Sequence, residues 1–530
     1  MTEFPRSRDD DAIRAGAPIR AATVRERWGN GFWKALTPTR VAIGALTAIF
    51  LLSGTAFAQP LSKAKKGDWP MWGGSADRNM VSGETGIPAK WDVKKKTNIK
   101  WVAKLGSQTY GNPVIVDGKI FIGTNNNGSL RPNIKGDKGV IACFEEKTGK
   151  FLWQATHDKL PTGRVNDWPE QGICSSPVVD GKRLYYVSNR CELVCADVNG
   201  MADGNDGPYK KEQYTDKQDA DFLWIVDMFE DMEAFPHNLA TCSPVIGGNT
   251  IFVTTSNGVD EGHLNIPVPE APSFVAVDKN TGKVLWERND PGENILHGQW
   301  SSPTYGVIAG KPMVLFGAGD GWCYAYDART GDVIWKFDLN PKDSKWVLGG
   351  RGTRNAIIAT PVIVGDRVFL CVGQDPEHGE GIGHLYCIDA TKTGDITESG
   401  RVWHYGNEDY RRSMSTVAVA DGLLYAADLS GYLHCLDART GKRHWVYDTF
   451  AAIWGSPYVV DGKVFLGTED GEIVVLEHGK KMKLLAKNDM QNSVYTTAVA
   501  ANGVLYITNR NTLFAIEDKT ARKTTAAASN

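Results

Sequence analysis

The feature that most constrains this chain is a unit that it repeats. Residues Gly317 to Trp335, GAGDGWCYAYDARTGDVIW, contain a turn at Asp320-Gly321, a strand, a second turn at Thr330-Gly331 and a strand ending in Trp335. Gly accepts positive φ in both turns, and the alternation of Trp322, Tyr324 and Tyr326 with Cys323, Ala325 and Asp327 has the period of two of a β-strand. One unit cannot bury its own aromatic side chains, so it must stack on copies of itself.

The copies follow one scheme: Pro-led strand, Asp-Gly turn, β-branched strand, Cys/Ala-x-Asp, Thr-Gly-Lys, Trp. They run from Pro113 to Trp153, Pro177 to Trp224, Pro244 to Trp286, Pro303 to Trp335, Pro361 to Trp403, Thr416 to Trp445 and Pro457 to Leu485. An eighth, Thr497 to Glu517, lacks its last strand. The shortest spacing between copies, about forty residues, is enough for four short strands each, the size of a propeller blade. Lys100-Trp101-Val102-Ala103 has last-strand character with no inner strands before it, so it is expected to complete the eighth blade and close the ring, leaving no free sheet edges. The expected fold is all-β, an eight-bladed propeller of four-stranded antiparallel blades over residues 97–517.

The signature Ala-x-Asp-x-x-Thr-Gly-x-x-x-Trp at Ala276 to Trp286 and Ala325 to Trp335 resembles the pyrroloquinoline quinone (PQQ) repeat. That family includes PQQ-dependent alcohol dehydrogenases and the propeller lipoprotein of the outer-membrane β-barrel assembly machinery. The resemblance implies the fold; its signature residues are structural and leave the activity open. A dehydrogenase of the family implies PQQ stacked on a Trp, a cation such as Ca²⁺ held by Glu, Asn and Asp, and an adjacent-Cys disulfide over the quinone. This chain has no adjacent Cys pair, and the cation ligands do not match position by position. The first reading is therefore an exported binding or scaffold module of the cell envelope, meeting an envelope protein or a small planar or anionic ligand at a loop-rich rim. The alternative is a PQQ-dependent dehydrogenase acting on an alcohol or sugar.

Residues 1–58 read as a polar, Arg-rich n-region followed by a signal peptide, with the apolar run Val41 to Leu52 and the Ala56-Phe57-Ala58 cleavage site. A retained membrane anchor is the competing reading. The chain is thus expected to be periplasmic or otherwise extracytoplasmic, and monomeric. No Cys follows the cleavage site, so lipid anchoring is not carried over. Residues 59–96 form an N-terminal extension, and 518–530 a Lys/Thr/Ala/Ser-rich tail expected to be disordered. The 59 Lys and Arg against 62 Asp and Glu, interspersed, argue against nucleic-acid binding.

Nine Cys in an exported chain suggest disulfides. The repeat says otherwise, because Cys143, Cys195, Cys387 and Cys435 share the small strand position that Ala276 and Ala325 occupy. Cys174 and Cys242, before the inner strands of neighbouring blades, leave a cross-blade disulfide open. The absence of Cys-x-x-Cys-His excludes covalent c-type haem.

Insertions concentrate on one face, in the second-to-third-strand loops (125–138, 257–272, 374–383) and the links between blades (157–173, 229–241, 289–299, 340–358). That rim carries Trp168, Glu170, His237, Asn238, His297, Trp300, Arg351, Arg354, Arg411, Arg412 and Trp454. Aromatic faces and guanidinium groups suit a planar anionic ligand; solvated rim loops are the competing reading. Asp260 and His263, and Asp375 and His378, pair carboxylate with imidazole in two rim loops and are candidate metal ligands. On the other face Asp197, Asn199, Asp203 and Asn205 alternate as in a Ca²⁺ loop, without its closing Glu.

Overall fold

A computed structural model describes residues 67–128, 130–374 and 381–518. The signal-peptide reading, the tail, Asp375 and His378 lie outside the described residues. The strands assemble into eight antiparallel blades whose four members follow in chain order, apart from the closing strand and two short additions. Ile99–Lys104 pairs antiparallel with Thr512–Ile516 and completes blade 8, as the repeat arithmetic requires.

In seven of the eight blades the signature supplies a Trp that packs towards the next blade. Cys143, Cys195, Ala276, Ala325, Cys387 and Cys435 lie directly opposite Trp153, Trp224, Trp286, Trp335, Trp403 and Trp445, and Ala515 lies opposite the closing Trp101. A small residue is needed beside each indole. The Trp then reaches the Thr-Gly turn of the following blade: a Cβ on Gly149 would sit 2.5 Å from Trp101, and one on Gly441 2.7 Å from Trp403. Both glycines have φ of +72°, so packing and backbone impose the same residue. The indole N–H of Trp403 donates to the Ala438 carbonyl at 3.0 Å, and that of Trp445 to Gly479 at 3.0 Å. The signature Asp shapes the turn, as where Asp278 accepts the N–H groups of Asn280 and Thr281.

The N-terminal extension has a structural role that its sequence reading did not assign. Residues 67–82 run through the central channel along the inner strands. Ile115, Val179, Tyr305, Ile363 and Val459 donate their N–H groups to the carbonyls of Trp69, Pro70, Ala76, Asp77 and Met80, and Val81–Ser82 adds a short parallel strand to blade 7. Inner edges that a propeller leaves facing a channel are thereby paired. Arg78 is fully buried in this segment, its guanidinium donating to the carbonyls of Trp72, Ser243, Pro244 and Pro303 at 2.7–3.0 Å. Burial lowers its pKa to about 10. The segment is thus pinned to blades 3 and 4 by one side chain and closes one end of the channel.

All nine cysteines are free, Cys174 and Cys242 included. Burial pushes the thiols of Cys195, Cys387 and Cys435 up to about 12, as expected of small core residues.

Candidate functional site

With one end of the channel closed, the other end is a blind funnel. The residue two positions before each inner strand faces the axis: Asn112, Ser176, Ser243, Ser302, Thr360, Thr416, Ser456 and Thr497, one per blade, line a cavity of about 160 Å³. Six steps of this collar are hydrogen-bonded around the ring. The N–H of Asn112 donates to Ser176 Oγ, Ser176 to Ser243 Oγ, Ser243 to Ser302 Oγ, Thr416 to Ser456 Oγ, Ser456 to Thr497 Oγ1, and Thr497 to Asn112 Oδ1, at 2.7–3.0 Å. Each such hydroxyl oxygen accepts from its neighbour and keeps its own proton to donate. With Thr360 and Thr416, which also line the cavity, seven hydroxyls surround the axis; Trp72 lines the cavity too, and the fully buried Arg78 guanidinium lies behind it on the Ser243 carbonyl.

The mouth is aromatic. Tyr110 and Tyr495 stack at 5.3 Å, and Trp454 meets Tyr495 edge-on at 6.0 Å. Glu469 fixes two of these rings, accepting from Trp454 Nε1 at 3.3 Å and from the Tyr495 hydroxyl at 3.5 Å. Among the described residues no charged side chain lines the cavity itself.

The sequence-predicted rim residues divide into four groups. Trp454 alone of them lines the axial cavity. Trp168, Glu170 and Asn238 knit the rim loops: the N–H of Trp168 donates to the Asn238 carbonyl, Asn238 donates to Val165, and Glu170 to Asp137 Oδ2. Arg164 lies over the Trp168 ring at 5.3 Å. The arginines do not converge on the axis. Arg351 is exposed on the link between blades 4 and 5; Arg354 forks onto both carboxylate oxygens of Asp338 at 2.9 and 3.0 Å. Arg411 lines a separate groove of about 420 Å³ with Asp409, Asp428 and Arg443, between blades 5 and 6. Arg412 bonds through its backbone to Gly381 and Leu429.

The fourth group is brought together from two of the predicted sets. His237 on the link from blade 2 to blade 3, His263 in the second-to-third-strand loop of blade 3, and His297 on the link from blade 3 to blade 4 meet on the rim. Their ring centroids lie 4.4–4.9 Å apart. Trp300 stands edge-on to His297 at 5.0 Å, and its Nε1 donates to the His237 carbonyl at 3.2 Å. Asp260, expected as a ligand beside His263, instead closes the turn that presents it, accepting from Leu264 N and Asn265 Nδ2 at 2.8 Å. Burial alone would raise the Asp260 carboxyl, but these donors hold it below its ordinary value.

On the opposite face the Ca²⁺-like loop is folded on itself. Asp197 accepts from Asn199 N at 2.7 Å, Asn199 reaches Asp203 at 3.5 Å, and the Lys210 ammonium sits on both oxygens of Asn205 at 2.6 Å. Burial, with Asp203 and Asp206 nearby, raises the Asp197 carboxyl.

Sequence reasoning missed the hydroxyl collar although its signal was present. Six of the eight members stand immediately before the Pro that opens the blade: Asn112, Ser176, Ser243, Ser302, Thr360 and Ser456.

The sequence model of the family described as outer membrane protein assembly factor BamB matches residues 210–405 and 383–482, more than half of the chain. The polyvinylalcohol dehydrogenase of Sphingopyxis sp. (strain 113P3) is 23% identical over 355 residues, 59% of this chain and 51% of that protein. The lupanine 17-hydroxylase [cytochrome c] of Pseudomonas sp. is 23% identical over 407 residues, 72% of this chain and 47% of that protein. The chain thus spans about half the length of these curated relatives. Among solved structures, the computationally designed Ika8 protein superposes with a TM-score of 0.52 at 12% identity, covering 79% of this chain and 99% of that one. BamB from Moraxella catarrhalis gives 0.49 at 14% identity, covering 77% and 94%. The likeness to Ika8 is one of fold.

Proposed function

Because the chain belongs to the PQQ-repeat β-propeller family, we propose that it is a binding module of the cell envelope whose ligand enters the loop-rich mouth and is held on the axis by the hydroxyl collar. The observation that carries this reading is the blind, donor-lined cavity: seven hydroxyls point at one axis, and the guanidinium beneath them is met by carbonyls. Such a cavity favours an acceptor-rich head group, a carboxylate being the simplest, because convergent donors and a desolvated cation both attract negative charge. The aromatic mouth takes an apolar or planar remainder. A small organic acid and the terminal carboxylate of a partner protein share this chemistry.

The residues do not fit a quinone redox centre. PQQ works beside a cation held by carboxylate and amide groups. Among the described residues the cavity has an aromatic wall in Trp454 but no Glu-Asn-Asp set to hold that cation, and the cysteines are free thiols. No redox step is derived through that group.

Calorimetric titration with small carboxylates, citrate and glucuronate among them, tests the reading. Saturable binding should weaken in Thr360→Val and Thr416→Val, which remove hydroxyl donors at nearly constant volume. Binding that is unchanged in the double variant excludes the collar as the site. The second reading, a dehydrogenase, is favoured by the names of the curated relatives. Stoichiometric, Ca²⁺-dependent quenching by PQQ, with reduction of an artificial acceptor on adding alcohol, would establish it in place of the first.

A further inference from the structure

We infer that His237, His263 and His297 form a binding site for a divalent transition-metal ion on the rim at blade 3, independent of the axial cavity. One ligand nitrogen from each ring can be chosen so that all three lie within 4.8 Å of one another. Three nitrogens bound tetrahedrally at about 2.0–2.1 Å stand roughly 3.4 Å apart, so small ring movements complete the geometry. All-imidazole ligation suits zinc, copper, nickel or cobalt and disfavours calcium and magnesium, which take oxygen ligands.

The surroundings are built for ligation. His237 Nδ1 is 2.8 Å from the Val259 carbonyl, which can only accept. The proton of a neutral His237 is therefore on Nδ1 and the lone pair on Nε2, the tautomer that a metal ligand needs. The Val259 N–H in turn donates to the His297 carbonyl at 2.9 Å, tying the two ligand-bearing segments together. The Trp300 bond to the His237 carbonyl adds a further brace.

Glycines leave the space. A Cβ on Gly258 would sit 2.8 Å from the Cβ of His237 and 2.5 Å from the His297 carbonyl; one on Gly349, φ +78°, would sit 2.8 Å from the Cβ of His263. Three loops from three parts of the sequence could not bring imidazoles this close with side chains at those positions.

His237 and His297 are buried, with 1% of each exposed, whereas His263 is partly exposed. The first two form the floor of the site and His263 its solvent side. Three protein ligands leave a fourth position for water or a small anion. Neutral imidazoles supply no negative charge, so the bound ion would keep its full charge and bind anions strongly. The tight turn closed by Asp260 presents His263, which makes Asp260 a positioning residue.

The test uses the purified chain, stripped with chelator and titrated with Zn²⁺ by calorimetry, with Co²⁺ as a spectroscopic probe. One equivalent of Zn²⁺ should bind, and Co²⁺ should give the intense ligand-field bands of a tetrahedral nitrogen site. His263→Ala, on a partly exposed loop, should lose more than the roughly 100-fold that outer-shell changes cost, with an unchanged thermal midpoint in the stripped protein. His297→Gln gives a second variant, read by its Co²⁺ bands. Absence of one-to-one binding, undiminished affinity in His263→Ala, or octahedral aquo-cobalt bands would overturn the inference and leave the three rings as a packed aromatic cluster.

Discussion

Replacing Arg78 with Met tests whether the threaded segment is held by its one buried cation. The guanidinium makes four hydrogen bonds to carbonyls of Trp72, Ser243, Pro244 and Pro303. Bonds to a charged donor contribute about 1.5–3 kcal/mol each, or about 6–12 kcal/mol for four. Opposing this is burial, which lowers the Arg78 pKa from 12.5 to about 10. At about 1.36 kcal/mol per pH unit, that drop is a cost of roughly 3 kcal/mol. The difference is about 3–9 kcal/mol, and the apolar Met chain that replaces the buried cation moves the expected loss to the low end, about 4 kcal/mol. Urea denaturation followed by tryptophan fluorescence reads the loss as a lowered midpoint, and limited proteolysis reads it locally as new cleavage within residues 67–82. Arg78→Lys keeps the charge but not the fork and should fall between the two. An Arg78→Met protein within about 1 kcal/mol of the parent, with 67–82 still protected, would refute the reasoning.

Other expectations concern the repeat and the buried titratable groups. Gly441→Ala should destabilise by about 2–4 kcal/mol by strain and by collision with Trp403, whereas Gly422→Ala, φ +76° with nothing within 4 Å of the added Cβ, should cost only the backbone part, about 1 kcal/mol. Equal denaturation midpoints for these two variants would remove the collision from the account. Trp335→Ala, which opens a fully buried site, should lower stability by about 3–5 kcal/mol without altering axial binding. His384, 3.0 Å from His404, has a pKa lowered to about 4 by burial and by that neighbour. Since the folded value lies below the unfolded 6.5, this contribution is intact above about 6.5 and is lost as pH falls towards about 4; His384→Gln should flatten the acid limb of the melting-temperature profile. Native Cys195, Cys387 and Cys435 should resist iodoacetamide near neutral pH and react once unfolded, and fast native labelling would contradict their burial.

The fold was legible because its information is local and repeated. The Ala-x-Asp-x-x-Thr-Gly-x-x-x-Trp unit states a register, a turn and an inter-blade contact in eleven residues, and the unpaired strand Lys100 to Ala103 matched the one missing strand. The site was legible only in its inventory. Repeat topology placed His237, His263 and His297 on one rim, but nothing in sequence spacing said that three loops would meet. Asp260 was paired with His263 by proximity in sequence, whereas in the fold its carboxylate closes the turn. Arg354 reads as a ligand group because an isolated guanidinium is expected to seek an anion, and its partner is Asp338 at the end of the last strand of blade 4. The collar escaped for the opposite reason: each Ser or Thr before a Pro is unremarkable alone, and only eightfold closure turns it into a cavity. A closed repeat therefore states its scaffold in each copy, while its chemistry lies where copies converge on the axis or depart from one another in the loops. The axial collar and the three-histidine rim are those two places in this chain.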